Sequence, residues 1–113
     1  HIRLIFVHLI KLFIEANSQA APHWRGEIAG FHFEIVERYA PSMRQRIVMD
    51  ELWRAAYEQS MQVYDGERQL LVAGLGVHSP FGLDDLISDR IDIFDLLRRL
   101  QPRSSSSALM TER

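Results

Sequence analysis

Apolar residues recur at helical spacing along most of the chain, which predicts an all-α fold. The segment Ile2–Ala16 is apolar at nearly every position. His8, Lys11 and Glu15 fall on one narrow arc of a helical wheel at about 100° per residue, and almost every other residue of the segment is apolar. A helix that is apolar nearly all round is normally buried on several sides. The pattern therefore predicts a first helix over residues 2–16 that needs several partners.

A second helix is predicted after the small and polar segment 17–21, which reads as a loop. Pro22 suits the first turn of a helix, where its missing N–H costs nothing. The apolar residues that follow step by four, three, four and four, a stripe that a strand does not produce. They are Trp24, Ile28, Phe31, Ile35 and Tyr39. We expect the first four to pack against the first and third helices.

Two glycines, Gly26 and Gly30, lie inside this second helix. Each costs about 1 kcal/mol relative to alanine in a helix interior. Close approach of a neighbouring backbone would explain them, and simple tolerance would explain them equally well.

A third helix is predicted to open at Pro41 and to run to about Val72, roughly 30 residues. Its weak point is Asp65-Gly66, a dipeptide typical of turns. An alternative makes 69–75 a short strand, although no second strand is evident to pair with it.

Two short helices are predicted near the carboxyl end. The first covers Leu83–Ser88 and is capped by Gly82 or Ser79. The second covers Ile93–Leu100 and is capped by Asp92. Residues 1–101 are therefore expected to form one α-helical domain, a small bundle. Residues 102–113, which are rich in serine and lack periodicity, are expected to form a disordered tail.

Composition narrows the function classes. The 113 residues are 47% apolar and 25% charged, an ordinary globular mixture, with a net charge of −2. This charge gives no global attraction to nucleic acid or anionic membrane. The absence of cysteine excludes disulfides, thiolate metal sites and a cysteine nucleophile. Twelve of the 13 basic residues are arginine, but they are scattered, which favours base composition over a phosphate-binding surface.

The most apolar stretch, 4–14, is too short to span a membrane, which takes about 20 residues. The segment Ser18-Gln19-Ala20 resembles the small-x-small pattern of a signal-peptide cleavage site, but Lys11 interrupts the apolar run. We therefore expect a buried helix and a cytoplasmic protein with no membrane contact.

Five short segments, in this order, resemble a bacterial family known as domain of unknown function 29. Val7–Leu12 resembles the "HLLK" helix of that family, and Trp24 to Ile35 resembles its "SWR..I.....EI" helix. The other three are Pro41–Arg44 ("PSLR"), Ala56–Glu58 ("AYE") and Ser79–Ile87 ("CPWTLEQLL"). Together they cover about residues 4–100.

This resemblance implies an all-α fold and no particular activity. The chain departs from the family pattern at His23, His32 and Ser79, and a role for the family cysteine is impossible where Ser79 replaces it. The helical segment that usually precedes the "HLLK" helix is absent, which is consistent with residues missing before His1.

The sequence contains no convincing catalytic, cofactor or metal motif. His23 and Glu27 lie one turn apart, but such a pair is more often an ordinary side-chain contact than a metal site. His78 and Ser79 are adjacent, but sequence neighbours rarely reach the geometry of a nucleophile and its base. We expect no enzyme activity, no cofactor and no bound metal.

The leading hypothesis is a non-enzymatic module that acts through protein–protein contacts. A small regulatory protein that binds nucleic acid is the alternative, with Arg38, Arg44 and Arg46 around the Pro41 turn as its phosphate contacts. An unrecognised enzyme is a third possibility.

The first helix is the predicted site of association. Two following helices would cover only part of it, and an exposed stripe of large apolar side chains would exceed what soluble monomers usually tolerate. We therefore expect a homo-oligomer or a protein partner to bind there. The candidate residues of core or interface are Leu4, Val7, Ile10, Ile14, Trp24, Ile28, Phe31 and Ile35.

Overall fold

The computed structural model describes residues 1–101, and none of these residues lies in a strand. The elements are six α-helices and one 3₁₀ helix, so the predicted all-α fold is confirmed. Their bounds are α1 Ile2–Ile14, α2 Ala21–Arg38, the 3₁₀ helix Pro41–Arg46, α3 Met49–Val63, α4 Gly66–Ala73, α5 Leu83–Ile87 and α6 Ile93–Arg99. The predicted disordered tail lies outside the described residues.

Helix α1 is the centre of the fold. Helices α2, α3, α4 and α6 all pack directly on it. Its apolar circumference supplies seven of the buried residues: Ile2, Ile5, Phe6, Val7, Leu9, Ile10 and Leu12. Helix α1 is apolar on nearly all sides, and it is buried because neighbouring helices pack on several of those sides.

The expectation that α1 leaves an apolar stripe uncovered is wrong. Val7 and Ile10 are buried in the core of the chain itself, and Leu4 and Ile14 are half-buried. The prediction allowed for two covering helices, whereas the C-terminal helices α4 and α6 fold back and add two more. The argument for association through α1 therefore fails.

Helix α2 places its apolar stripe on the core. Ile28 is fully buried, and Trp24, Phe31 and Ile35 pack against the core while partly exposed. His32 from the same helix is also buried, and its Nε2 lies 2.8 Å from the Ser88 carbonyl oxygen. This contact joins α2 to the end of α5.

The two glycines of α2 do not mark a close backbone approach. A Cβ atom at Gly26 or Gly30 would meet no heavy atom within 4 Å. Both positions face outward, so simple tolerance is the correct explanation.

The predicted long third helix is in fact three elements. The 3₁₀ helix ends at Arg46, Ile47 and Val48 are extended, and α3 begins at Met49. A second break falls at Tyr64 and Asp65, before Gly66 opens α4 with φ +58°. The alternative strand at 69–75 is also wrong, since α4 runs to Ala73.

Aromatic rings close the core between α1, α3 and the loop before α5. The ring of Trp53 stands edge-on to those of Phe6 and Phe81, with centroids 5.3 and 6.2 Å apart. Such tilted pairs place a positive ring edge on a negative ring face.

The predicted cap of the last helix is confirmed, since Asp92 Oδ1 accepts a hydrogen bond from Asp95 N–H at 3.0 Å.

Within residues 1–101, no helix combines the length and the apolarity that crossing a membrane requires.

Candidate interaction cleft

An apolar cleft of about 260 Å³ lies beside the C-terminal half of α2. Its walls come from five separate elements and the extended residue that follows the 3₁₀ helix. The apolar lining residues are Ile2, Ile35, Tyr39, Met43, Ile47, Leu52 and Ile87. Ligand pockets for drug-sized molecules begin at about 300 Å³, so this cleft has room for one or two side chains.

The 3₁₀ helix shapes the open edge of the cleft. Pro41 keeps Ala40 extended (φ −126°, ψ 144°), and this ends α2 and turns the chain. The Ala40 N–H then donates to Met43 Sδ at 3.3 Å, which folds the Met43 side chain back over the turn. Because side chains at i and i+3 eclipse in a 3₁₀ helix, Met43 and Arg46 share one side of it.

Charged side chains stand around the cleft. Arg38 and Glu34 from α2 line it together with His1. The Glu34 carboxylate lies 3.1 Å from Nε2 of His1, a contact that is an ion pair only when this imidazole is protonated.

The guanidinium groups near the cleft differ in their partners. Arg44 forms an ion pair with Asp84 at 2.6 Å, and this hydrogen bond raises the pKa of Arg44. Arg38 and Arg46 form no ion pair with any residue between His1 and Gln101. Of these three arginines only Arg38 lines the cleft, where the Glu34 carboxylate also lies.

Of the eight residues singled out from the sequence, only Ile35 lines this cleft. Val7, Ile10 and Ile28 are buried elsewhere in the core, and the other four are half-buried. Sequence analysis also named Tyr39, as part of the apolar stripe, and Arg38, as a phosphate contact. The other lining residues escaped it because separate elements contribute them one or two at a time. The one available signal was the Pro41 turn, which places Met43 and Ile47 close behind α2.

His78 and Ser79 are not arranged as a base and a nucleophile. The Ser79 hydroxyl donates to the Phe81 carbonyl at 2.8 Å and accepts from the Phe81 N–H at 3.1 Å. Asp50, which sequence analysis missed, accepts from the Ser79 N–H at 2.8 Å and lies 3.3 Å from Nδ1 of His78. These bonds lower the pKa of Asp50, the Ser79 N–H contributing most. The cluster attaches the loop to α3.

His23 and Glu27 do not form a pair either. The Glu27 carboxylate lies 3.9 Å from Nε2 of His8 on α1. In the part of the chain from His1 to Gln101, no three His, Asp or Glu side chains are grouped as a metal site requires.

A second polar contact joins the ends of α1 and α3. The Tyr64 hydroxyl donates to Glu15 Oε2 at 2.5 Å, and Arg68 Nη1 lies 3.7 Å from the other oxygen. Burial, and then this hydrogen bond, raise the pKa of Tyr64. The Glu15 carboxylate is thus occupied from two directions, which makes it a structural link.

Other large apolar side chains are exposed outside the cleft, including the neighbours Leu70 and Leu71 on α4. Phe33 on α2 is 65% exposed, and Phe94 is 67% exposed beneath the guanidinium of Arg25, 5.7 Å from the ring centre. Single exposed apolar residues are normal on protein surfaces. The cleft differs from them because it is concave and has several apolar walls.

These features define an all-α domain built around a central apolar helix, with a small apolar cleft at its surface. The sequence model of the family described as "Domain of unknown function DUF29" matches residues 1–91, and the chain belongs to this family. Neither the curated proteins nor the solved structures contain a match.

Proposed function

We propose that this domain is a bacterial, cytoplasmic protein–protein interaction module without catalytic activity, and that its cleft receives an apolar side chain of a partner protein. The observation that carries the proposal is the cleft itself, an apolar depression of about 260 Å³ with charged residues at its edge. Interfaces concentrate binding energy where one large side chain enters a desolvated pocket ringed by polar groups.

The polar clusters of the domain favour this role over catalysis. Each one has a structural partner: Ser79 bonds to Phe81, Asp50 to the Ser79 backbone, and Glu15 to Tyr64. None of these groups lines the apolar cleft. A catalytic role requires a reactive group beside a space for substrate.

The charge distribution favours a protein partner over nucleic acid. Asp84 neutralises Arg44, which leaves two of the three arginines of the Pro41 turn for phosphate. The chain as a whole carries a net charge of −2. Phosphate contacts bind strongly only when many cations act together.

Site-specific photocrosslinking tests the proposal. A photoreactive benzoylphenylalanine replaces Met43, which lines the cleft and is 39% exposed. The full chain is then irradiated in living bacterial cells that carry its natural partners. We expect one reproducible protein adduct, identified by mass spectrometry.

The matched control places the same residue at Val63, an apolar side chain that is 63% exposed and lies outside the cleft. No adduct is expected there. Identical adducts from both positions, or none from Met43, would contradict a role for the cleft. An adduct to nucleic acid at Met43 would favour the alternative function.

A further inference from the structure

The break between α3 and α4 has the features of a hinge. In the bent form described above, α4 folds back onto α1 of its own chain. We propose that Tyr64–Gly66 also adopts a straight form, in which α3 and α4 join into one helix and two copies of the chain exchange α4, α5 and α6. In that dimer, α1 of each copy is covered by α4 and α6 of the other copy. The inference is independent of the proposed cleft.

The first argument is how little holds the bend. Only Tyr64 and Asp65 separate the two helices, and the side chain of Asp65 does not cap α4. The Tyr64 hydroxyl bond to Glu15 holds the bend, but the backbone loses nothing when the segment straightens. In a straight helix the Met61 carbonyl accepts from the Asp65 N–H. In the bent form it accepts instead from the side-chain amide of Gln69 at 2.9 Å, so one bond replaces the other.

The second argument is the helical pattern across the break. On a helical wheel at about 100° per residue, Trp53, Tyr64 and Leu71 lie within about 20° of one another. Trp53 and Tyr64 are buried, whereas Leu71 is 50% exposed in the bent form. The sequence therefore continues the buried face of α3 to a residue that the bent form leaves in solvent. A straight helix restores this face, and it removes Val72 from its buried position in the core of its own chain.

The third argument is that the contacts across the hinge can form equally well between two copies. Helices α4 and α6 pack on α1, and α5 packs on α2. Polar contacts also join residues before the hinge to residues after it: His32 to Ser88, Arg44 to Asp84 and Trp53 to Gly76. Exchange of whole elements rebuilds these contacts with the other copy, so that only contacts at the hinge itself change.

Gly66→Ala tests the hinge in the full chain. Gly66 has φ +58° in the bent form, a conformation that penalises alanine, whereas alanine is favoured over glycine inside a straight helix. Because both hinges of a dimer contribute, the dimerisation constant should rise by roughly 10³- to 10⁴-fold. The protein is heated close to its melting temperature and cooled, which permits exchange. Light scattering then gives its mass over a concentration series.

The matched control is Gly76→Ala, which places a side chain at φ +80° outside the hinge. Both forms contain this loop, so the dimerisation constant should equal that of the wild type. Asp65→Ala is a second hinge variant, which removes no capping bond and favours the helix. It should raise the dimerisation constant by roughly 5- to 10-fold. Circular dichroism verifies that the three variants are folded.

A crosslink distinguishes exchanged copies from copies that associate through their surfaces. The chain has no cysteine, so Arg44→Cys/Asp84→Cys in the Gly66→Ala protein gives one reactive pair, at a contact that spans the hinge. On denaturing electrophoresis, a short bismaleimide should link two chains in the isolated dimer and should give only an internal link in the isolated monomer.

Three results would overturn the inference. The first is an internal link in the isolated dimer, which would show surface association without exchange. The second is a monomeric mass for both Gly66→Ala and Asp65→Ala at every concentration. The third is equal dimerisation of Gly76→Ala and Gly66→Ala, which would show that the hinge is not the cause.

Discussion

The indole Nε1–H of Trp53 donates a 2.9 Å hydrogen bond to the carbonyl oxygen of Gly76. Trp53 is fully buried in α3, whereas Gly76 lies in the loop after α4 with φ +80°. A buried indole N–H requires an acceptor, because an unsatisfied one costs about 1–3 kcal/mol. The left-handed conformation of the loop thus falls at Gly76, the residue whose carbonyl satisfies the buried indole of Trp53.

Gly76→Ala should destabilise the fold by about 1–2 kcal/mol, the cost of placing a side chain at positive φ. A Cβ there would meet no atom within 4 Å, so the penalty comes from the backbone alone. Urea denaturation of both proteins measures it. An unchanged midpoint would show that the loop does not hold this conformation in solution.

Gly30→Ala should have the opposite effect. Gly30 is exposed, helical and free of contacts at its Cβ position, and alanine is favoured over glycine in a helix interior by about 0.5–1 kcal/mol. The same denaturation experiment should show a stability gain. A loss would mean that the outward face of α2 is in close contact with another molecule.

Ile28→Ala should cost about 2–5 kcal/mol, because the side chain is fully buried and its removal leaves a cavity. The control is Phe33→Ala on the same helix, where the ring is 65% exposed and the effect should stay within about 0.5 kcal/mol. Equal effects of the two substitutions would contradict the orientation of α2.

Tyr64→Phe should cost about 1.5–3 kcal/mol at neutral pH, the usual contribution of a hydrogen bond to a charged group. Because the folded state raises the pKa of Tyr64 above its ordinary value of 10.0, folding favours the neutral phenol. This contribution is complete below pH 10 and is lost as the pH rises towards the folded pKa.

Stability curves between pH 7 and 11 test this pH dependence. The wild-type protein should lose its advantage over Tyr64→Phe above pH 10. Tyr57→Phe serves as the control, since its hydroxyl bonds to no residue in the described part of the chain. A constant difference between wild type and Tyr64→Phe across this range would refute the assignment.

Asp85→Asn should weaken the junction of α5 and α6 by roughly 1 kcal/mol at pH 7, a modest value because the pair is partly exposed. Arg99 donates hydrogen bonds from Nη2 to Asp85 Oδ1 at 2.8 Å and from Nη1 to Asp85 Oδ2 at 3.1 Å. These bonds lower the pKa of the Asp85 carboxyl below its ordinary value of 3.8. The contribution is therefore complete above pH 3.8 and is lost as the pH falls through the folded pKa.

Acid titration of the unfolding free energy measures this effect. The difference between wild type and Asp85→Asn should close below pH 3.8. Asp84→Asn is the control, since the Asp84 side chain is highly exposed and its single ion pair goes to Arg44. A larger loss for Asp84→Asn would contradict the assigned network.

Local sequence signals were sufficient to predict the helices whose ends depend on residues close in sequence. The stripe from Trp24 to Tyr39 repeats about once per helical turn, and the Asp92 cap acts within one turn. The start of α2 near Pro22 and both ends of α6 were therefore predicted to within one residue. Family resemblance gave the same all-α class. These features need no knowledge of distant contacts.

The break between α3 and α4 falls at the weak point that Asp65-Gly66 marked in the sequence, but periodicity runs through it and favoured one continuous helix. Tyr64 leaves the helical conformation (φ −102°, ψ 153°) while its ring is buried and its hydroxyl reaches Glu15, 49 residues earlier. Both α3 and α4 pack on α1, so both need an apolar face, and the sequence resembles one continuous helix. The contact of Tyr64 with Glu15, which is distant in sequence, thus accompanies the break between α3 and α4.

The cleft could not be predicted for a related reason. Ile2, Leu52 and Ile87 are far apart in sequence, and each is typical of an ordinary core position. Only the packing of α1 between α2 and α3 brings them to one depression.

The central place of α1 has a consequence for synthesis on the ribosome. Among the described helices α1 is synthesised first, and α2, α3, α4 and α6 must all cover it. At roughly 5–20 residues per second, the 85 residues from the end of α1 (Ile14) to the end of α6 (Arg99) take about 4–17 seconds to follow. During that interval the most apolar helix of the nascent chain is not fully covered. We therefore expect chaperones that recognise exposed apolar segments to bind it until α6 has left the ribosome.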